Sequence, residues 1–319
     1  MDNDRRELLA KVGTMYYIEE LTQLEISNEL GYSRSCISRF ITEAKQAGIV
    51  EILIHDPLAR VGKLEERISE RFSLKEVRVY ESDGMPYSTS LRKLGSIAAI
   101  LLREKIMNCQ VLGIAWGTSL YEMVNAFRFV DCPRVRVVQL VGSALSGGDA
   151  DDGPGLVRTL ANKINGQYYT LPAPWIISDK SLRDALMADR RMRDVLVLTE
   201  EVDLVFEGVG LMDPDLSGFV RVGHLQMDEV RKLNAIGVVG DICGIHFDIN
   251  GNIIDVPQIG YAFGIKPEVL RKVPISVGIG ASEKKAPAIL GGIRTRLINS
   301  LVVDSVAARI ILELDEKQN

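Results

Sequence analysis

From about Glu76 onward, short β-branched runs alternate with helical stretches, and this alternation constrains the fold more than any other feature of the chain. The runs are VRVY (77–80), VLGIAW (111–116), VRVVQLVG (135–142), YYTL (168–171), VDLVFEGVG (202–210), a GDICGIHFD segment (240–248), ISVGIG (275–280) and LVV (301–303). Helical spacing of apolar residues predicts helices over 88–105, 119–128, 154–164, 226–236, 283–296 and 304–314. Strands apolar on both sides, each followed by a helix, belong in a parallel sheet covered on both faces. The expected fold is therefore α/β, a doubly wound and mainly parallel sheet. Such sheets bind ligands beyond the carboxyl ends of their strands, where the glycine-rich turns of this chain fall.

Three of those turns carry usable chemistry. Trp116-Gly117-Thr118-Ser119 follows one strand and opens a helix. Glycine lets a ligand approach the backbone, and hydroxyls with free N–H groups at a helix start suit a phosphate or carboxylate. Gly278 to Lys285, GIGASEKK, repeats the pattern with lysines at the helix start. A lysine there is commonly solvated, but one reaching over a strand end can pair with an anion. Gly240-Asp241-Ile242 puts a carboxylate after a short strand, where it can accept from sugar hydroxyls or simply cap a turn.

The N-terminal part has a different texture. Residues 4–20 predict one amphipathic helix through Leu8, Leu9, Val12, Met15 and Tyr16. Thr22 with Glu25 forms a capping-box pattern before a short helix carrying Ile26 and Leu30. Gly31 suits a tight left-handed turn, and Ser33 can cap the helix that follows. In that helix Ile37, Phe40, Ile41 and Ala44 form the apolar stripe, leaving Arg34, Ser35, Ser38 and Arg39 on the outer face near its start. This is a helix-turn-helix layout, whose second helix presents its first residues to base edges in the major groove. The exit GIVEILI (48–54) reads as the strand of a winged helix. A plain helical hairpin that docks a protein is the alternative. A further helix, 58–72, carries Val61, Leu64, Ile68 and Phe72 on one stripe and fits a connector. The expected domains are 1–55, winged helix-turn-helix; 56–75, connecting helix; and 76–319, effector binding and oligomerisation.

Charge sets limits on the DNA reading. The chain carries a net charge of −5, which argues against a protein that coats nucleic acid nonspecifically. Acids outnumber cations in residues 1–54 as well, yet within 33–48 Arg34, Arg39 and Lys45 face only Glu43. A small cationic tip on an acidic module fits specific, salt-sensitive binding by more than one copy. The four cysteines, Cys36, Cys109, Cys132 and Cys243, have no CxxC spacing, which argues against metal ligation and a disulfide framework. No apolar run approaches the ~20 residues of a membrane span. MDNDRRELL lacks the apolar core of a secretory signal, so a cytoplasmic protein without membrane contact is expected.

Together these segments resemble a known family. Residues 111–304 resemble the sugar-phosphate isomerase and deaminase fold through GTS (117–119), GVG (208–210) and KAPAI (285–289). The whole chain resembles the SorC family of sugar-binding bacterial transcriptional regulators. The likeness rests on LTQLEISNELGYSRSCISRFITEAKQAGIVEILI, VLGIAWGTSL, VVQLVGS, LPAP, GDICGIHFDINGNII and VGIGASEKKAPAILGGIRTRLINSLVVDSVAA. The resemblance implies a repressor of a carbohydrate-utilisation operon, dimeric or tetrameric, that binds double-stranded operator DNA and responds to a phosphorylated sugar, with no cofactor. DNA would be met by Thr22, Ser33, Arg34, Ser35, Ser38 and Arg39. Gly117, Thr118, Ser119 and Lys285 would hold the phosphate, while Gln139 and Asp241 would face the sugar. Some relatives carry an imine-forming lysine where this chain has Val141, and often a cation where it has Ile245. The loop after VVQL is Gly142-Ser143 where the family often has a double glycine.

An isomerase or deaminase would need a general base and an acid within reach of substrate. His55, His224 and His246 lie in no recognisable catalytic arrangement, so catalysis is not expected. A sugar-phosphate sensor that does not bind DNA is the other alternative.

Overall fold

The computed structural model describes residues 3–50, 61–143 and 152–318 and divides the chain into two compact units, Met1–Pro57 and Leu58–Asn319. The expected strand over 51–54, His55 and the start of the connecting helix at 58–60 lie outside the described residues.

The first unit is built from α1 (Asn3–Tyr17), α2 (Gln23–Leu30) and α3 (Arg34–Gln46). Its termini follow local chemistry. Thr22 and Glu25 close a reciprocal capping box at the start of α2, and Gly31 ends that helix at φ 73°. Ser33 caps α3 by accepting from the Cys36 N–H at 3.3 Å. Leu9, Val12, Ile26, Ile37 and Ala44 are fully buried where the three helices meet. Each large aliphatic side chain so buried contributes about 1.5–3 kcal/mol.

The second unit opens with α4 (Gly62–Phe72), whose Leu64 and Ile68 face inward. In order there follow β1 (Glu76–Tyr80), α5 (Tyr87–Ile106), β2 (Val111–Ile114), α6 (Thr118–Ala126), β3 (Arg136–Gln139), α7 (Gly153–Lys163), β4 (Gln167–Tyr169) and β5 (Ile176–Ile177). Then come α8 (Lys180–Ala188), α9 (Arg190–Glu200), β6 (Leu204–Gly208), β7 (Gly210–Leu211), α10 (Gly218–Arg221), α11 (Met227–Ala235), β8 (Gly240–Ile242) and β9 (Ile245–Phe247). The unit ends with β10 (Tyr261–Ala262), α12 (Pro267–Leu270), β11 (Ile275–Gly280), α13 (Ala286–Thr295), β12 (Ser300–Asp304) and α14 (Ser305–Glu316).

Seven described strands form one parallel sheet in the order β1-β12-β11-β6-β2-β3-β4. The chain leaves β2 toward β3 and β4, returns to β6 on the other side of β2, and continues through β11 to β12. Right-handed crossovers running in opposite directions put their helices on opposite faces. α5, α6 and α7 accordingly pack side by side, while α13, α14 and α4 form a second group. With both faces covered, the strands are buried almost end to end; β2 and β12 expose nothing. The expected doubly wound architecture is what the chain adopts, and β2 and β6 flank its switch point.

Two parts differ from the sequence reading. GDICGIHFD is an antiparallel hairpin, β8–β9, in a small sheet with β7 rather than part of the parallel sheet. Residues 180–200, for which no element is predicted, form the helices α8 and α9. No residue of α8 is buried, and its Leu186 and Met187 pack on the small cluster around Leu171, Ile177 and Phe263. Among the described residues no helix is long and apolar enough to cross a membrane.

Candidate functional site

A cavity of about 110 Å³ opens beyond the carboxyl ends of β2 and β6, at the switch point. The β2–α6 turn supplies Trp116 through Ser119 on one side, and the β6–β7 turn supplies Gly208 through Leu211 on the other. Gly117 adopts φ 125°, which favours glycine, and lets the chain turn directly into α6. The first N–H groups of that helix have no carbonyl to meet within it and face an anion-sized space with the positive end of the dipole. Thr118 is exposed and Ser119 buried, and both line the cavity.

Two cations complete this end. Lys285, half-buried in the turn after β11, lines the cavity and donates to the Val209 carbonyl at 2.8 Å. Burial pushes its pKa down to about 8, against the pull of Asp241; the nearby Arg221 charge lowers it further. Arg221, at the end of α10, lines the same space. The turn that carries Lys285 contains Ser282 at φ 100°, an unusual conformation for any residue but glycine. Its N–H donates to Asp304 Oδ1 at 3.2 Å, and its carbonyl accepts from the Lys285 N–H at 3.1 Å. Backbone strain of this kind costs about 1–3 kcal/mol and persists where the surroundings hold it.

Asp241 enters from β8, almost fully buried. Its Oδ2 accepts the Gly244 N–H at 3.1 Å. Its Oδ1 occupies the place of a side chain at residue 210, since a Cβ there would lie 1.9 Å from it. Burial raises the Asp241 carboxyl to about 6, while the Gly244 N–H and the Lys285 charge pull it back.

The structure thus brings together five of the six expected effector residues: Gly117, Thr118, Ser119, Asp241 and Lys285. Gln139 is not among the residues lining the cavity. It is fully buried, donates to the Val141 carbonyl at 2.6 Å and accepts from the Leu171 N–H at 3.1 Å. Its amide ties the end of β3 to the segment after β4. Val141 itself lines the cavity, whereas His246 and Ile245 do not. His246 is buried against Phe219 with ring centroids 5.2 Å apart, and burial lowers its pKa to about 4.

Beneath the cavity lies a carboxyl that the sequence reading does not single out. Glu207, on β6, is fully buried. Cys243 Sγ donates to its Oε2 at 3.1 Å, and its Oε1 lies 3.1 Å from Ser276 Oγ. Ser276 has one hydroxyl proton and already gives it to the Leu297 carbonyl at 2.8 Å. The network closes if Glu207 carries a proton and donates it to Ser276. Burial pushing its pKa up to about 8 agrees with that assignment. In the sequence, VFEGV reads as an apolar strand; its one signal is the carboxylate inside it. Arg221 stands in no motif, and topology alone brings it to the site.

In the first unit the six expected DNA contacts, Thr22, Ser33, Arg34, Ser35, Ser38 and Arg39, are all exposed. The one acid within 33–48, Glu43, is engaged by Arg5 from α1, whose guanidinium also lies 4.2 Å from the Phe40 ring centroid. Arg34 and Arg39 therefore head a face from which the local negative charge has been drawn away.

Residues 56–313 match the Sugar-bind family, a sugar-binding domain. The chain belongs to that family. It is 27% identical to the sorbitol operon regulator of Klebsiella pneumoniae, over 98% of this chain and 99% of that protein. It is 28% identical to the transcriptional regulator LsrR of Escherichia coli, over 96% and 94%. The crystal structure of full-length SorC from Klebsiella pneumoniae superposes with a TM-score of 0.71 at 26% identity, covering 98% of this chain and all of that one. The chain is a transcriptional regulator of the SorC type with a sugar-binding domain, and not an enzyme.

Proposed function

We propose that this regulator represses a carbohydrate-utilisation operon by binding operator DNA as a dimer or tetramer in the cytoplasm, and that a phosphorylated sugar alters that binding. One observation carries the phosphate assignment. The start of α6, the Thr118 and Ser119 hydroxyls, Lys285 and Arg221 converge on a single cavity at the sheet's switch point. Asp241 supplies an acceptor for sugar hydroxyls at the same cavity. The α3 face supports the DNA assignment, with Arg34, Ser35, Ser38 and Arg39 exposed and Glu43 neutralised by Arg5. Ligand control requires the sugar phosphate to favour one state of the oligomer over another.

The test has two arms. A thermal-shift screen of phosphorylated and free sugars should find stabilisation by phosphorylated members alone, and the same compounds should change the mobility shift of a fragment from the protein's own promoter region. Stabilisation by free sugars alone would remove the phosphate from residues 117–119. No operator shift at any salt concentration would remove the DNA-binding reading.

A further inference from the structure

The chain has only two tryptophans, and both line this one cavity. Trp116 and Trp175 meet edge to face, with centroids 4.8 Å apart at 86°. Trp175 in turn lies 4.2 Å from Phe219 at 30°, a stacked pair that fixes its plane. Trp116 reaches across to α10, its Cη2 being 3.9 Å from where a Cβ at Gly218 would stand. The cavity therefore combines the start of α6, Lys285 and Arg221 with a wall of aromatic rings. Val141 is also part of the lining, so no amine stands there.

Resting on the phosphate reading above, we propose that the wall selects the sugar, holding it as a closed ring packed against the indole of Trp116, which the buried Trp175 and its stacked partner Phe219 hold in place. A ring presents a rigid face of C–H groups that matches the electron-rich face of an indole and buries apolar area without ordering a chain. An open-chain polyol must freeze several rotors to offer the same area, an ordering cost that the preformed ring avoids. At Val141 an open-chain aldehyde meets no amine to capture it. Cys243, the nearby thiol, is turned to Glu207 at 3.1 Å, and burial holds it in the unreactive S–H form.

The intact chain should be titrated with ring-forming phosphates (glucose 6-phosphate, fructose 6-phosphate, ribose 5-phosphate), with sorbitol 6-phosphate and ribitol 5-phosphate, and with inorganic phosphate. Intrinsic tryptophan fluorescence and melting temperature are the readouts. A ring-forming phosphate should change the fluorescence and bind at least about tenfold more tightly than its open-chain alditol phosphate and than inorganic phosphate. Trp116→Ala should erase that preference, weakening the ring-forming phosphate at least about tenfold more than inorganic phosphate; Trp175→Phe, which keeps a ring, should retain most of it. The inference is overturned if an alditol phosphate binds as well as the ring, or if no sugar improves on inorganic phosphate. It is also overturned if Trp116→Ala weakens sugar phosphate and inorganic phosphate by the same factor, for the indole then only shapes the phosphate turn. Binding of free sugars without any phosphate effect would sink the phosphate reading instead, and their preference over free alditols would still support the wall.

Discussion

The two units place their functional groups in opposite environments. In the N-terminal helical unit every residue proposed to meet DNA is exposed, and the core beneath is almost purely apolar. In the effector unit Ser119, Asp241 and Glu207 are buried, and Lys285 is half-buried with its pKa displaced. A surface contact can be removed with little harm to the fold. A buried polar group cannot, because its partners stay behind without water or replacement. The two halves should therefore respond to mutation in different currencies, affinity alone in the first and affinity together with stability in the second.

The sharpest way to break that contrast is at Glu207. Glu207→Ala should cost about 2–4 kcal/mol, from the lost volume and the stranded Cys243 and Ser276 partners. Glu207→Gln, which keeps the shape and can donate to Ser276, should stay within about 1 kcal/mol. Because folding raises this carboxyl from 4.5 to about 8, its stabilising contribution is fully present below pH 4.5 and is lost as pH rises through about 8. Urea melts between pH 5 and 9 should show that decline, and Glu207→Gln should flatten it. A Glu207→Ala protein as stable as the parent would refute the contrast.

At Lys285 the effect should appear in binding. Lys285→Ala should abolish thermal stabilisation by the effector, about 2.7 kcal/mol at a hundredfold excess over Kd, while operator affinity without ligand is retained. Since burial brings this ammonium's pKa down to about 8, effector affinity should fall as pH rises through that value. Titration of wild type at pH 7 and pH 9 would show it. In the first unit, Arg39→Ala should weaken operator binding by about 1–3 kcal/mol at fixed salt, with the melting temperature unmoved. Ser33→Ala is the smallest and most informative change. As a cap Ser33 is this unit's exception, its loss costing about 1 kcal/mol of stability, and any loss of operator affinity in the fully folded variant would mean that the hydroxyl also meets DNA.

What could be read in advance follows the same divide. Periodicity and caps act over a few residues, so ISVGIG (275–280) appears as β11 with the same bounds, and Thr22, Gly31 and Ser33 do what their types dictate. The turns at 117–119 and 285 are legible because glycine and hydroxyl punctuation marks strand ends in a parallel fold, whereas Asp241, expected after a short strand, lies within β8 of an antiparallel hairpin. For Gln139 the position on a strand does not say to whom the amide is committed, and the structure commits it to Val141 and Leu171. Glu207, Arg221 and the Trp116–Trp175 contact were missed for a related reason: segments far apart in the chain create them, and no local pattern records the meeting.

Ser282 gives that meeting a history. Its left-handed backbone means that replacement by glycine should relieve strain of about 1–3 kcal/mol, offset by glycine's greater freedom when unfolded. A protein screened for heat resistance alone would tend toward that replacement. It would also free the turn that sets Lys285 over the cavity, and so become hardier and less attentive to its signal. The serine marks a position where responsiveness and robustness pull the chain in different directions.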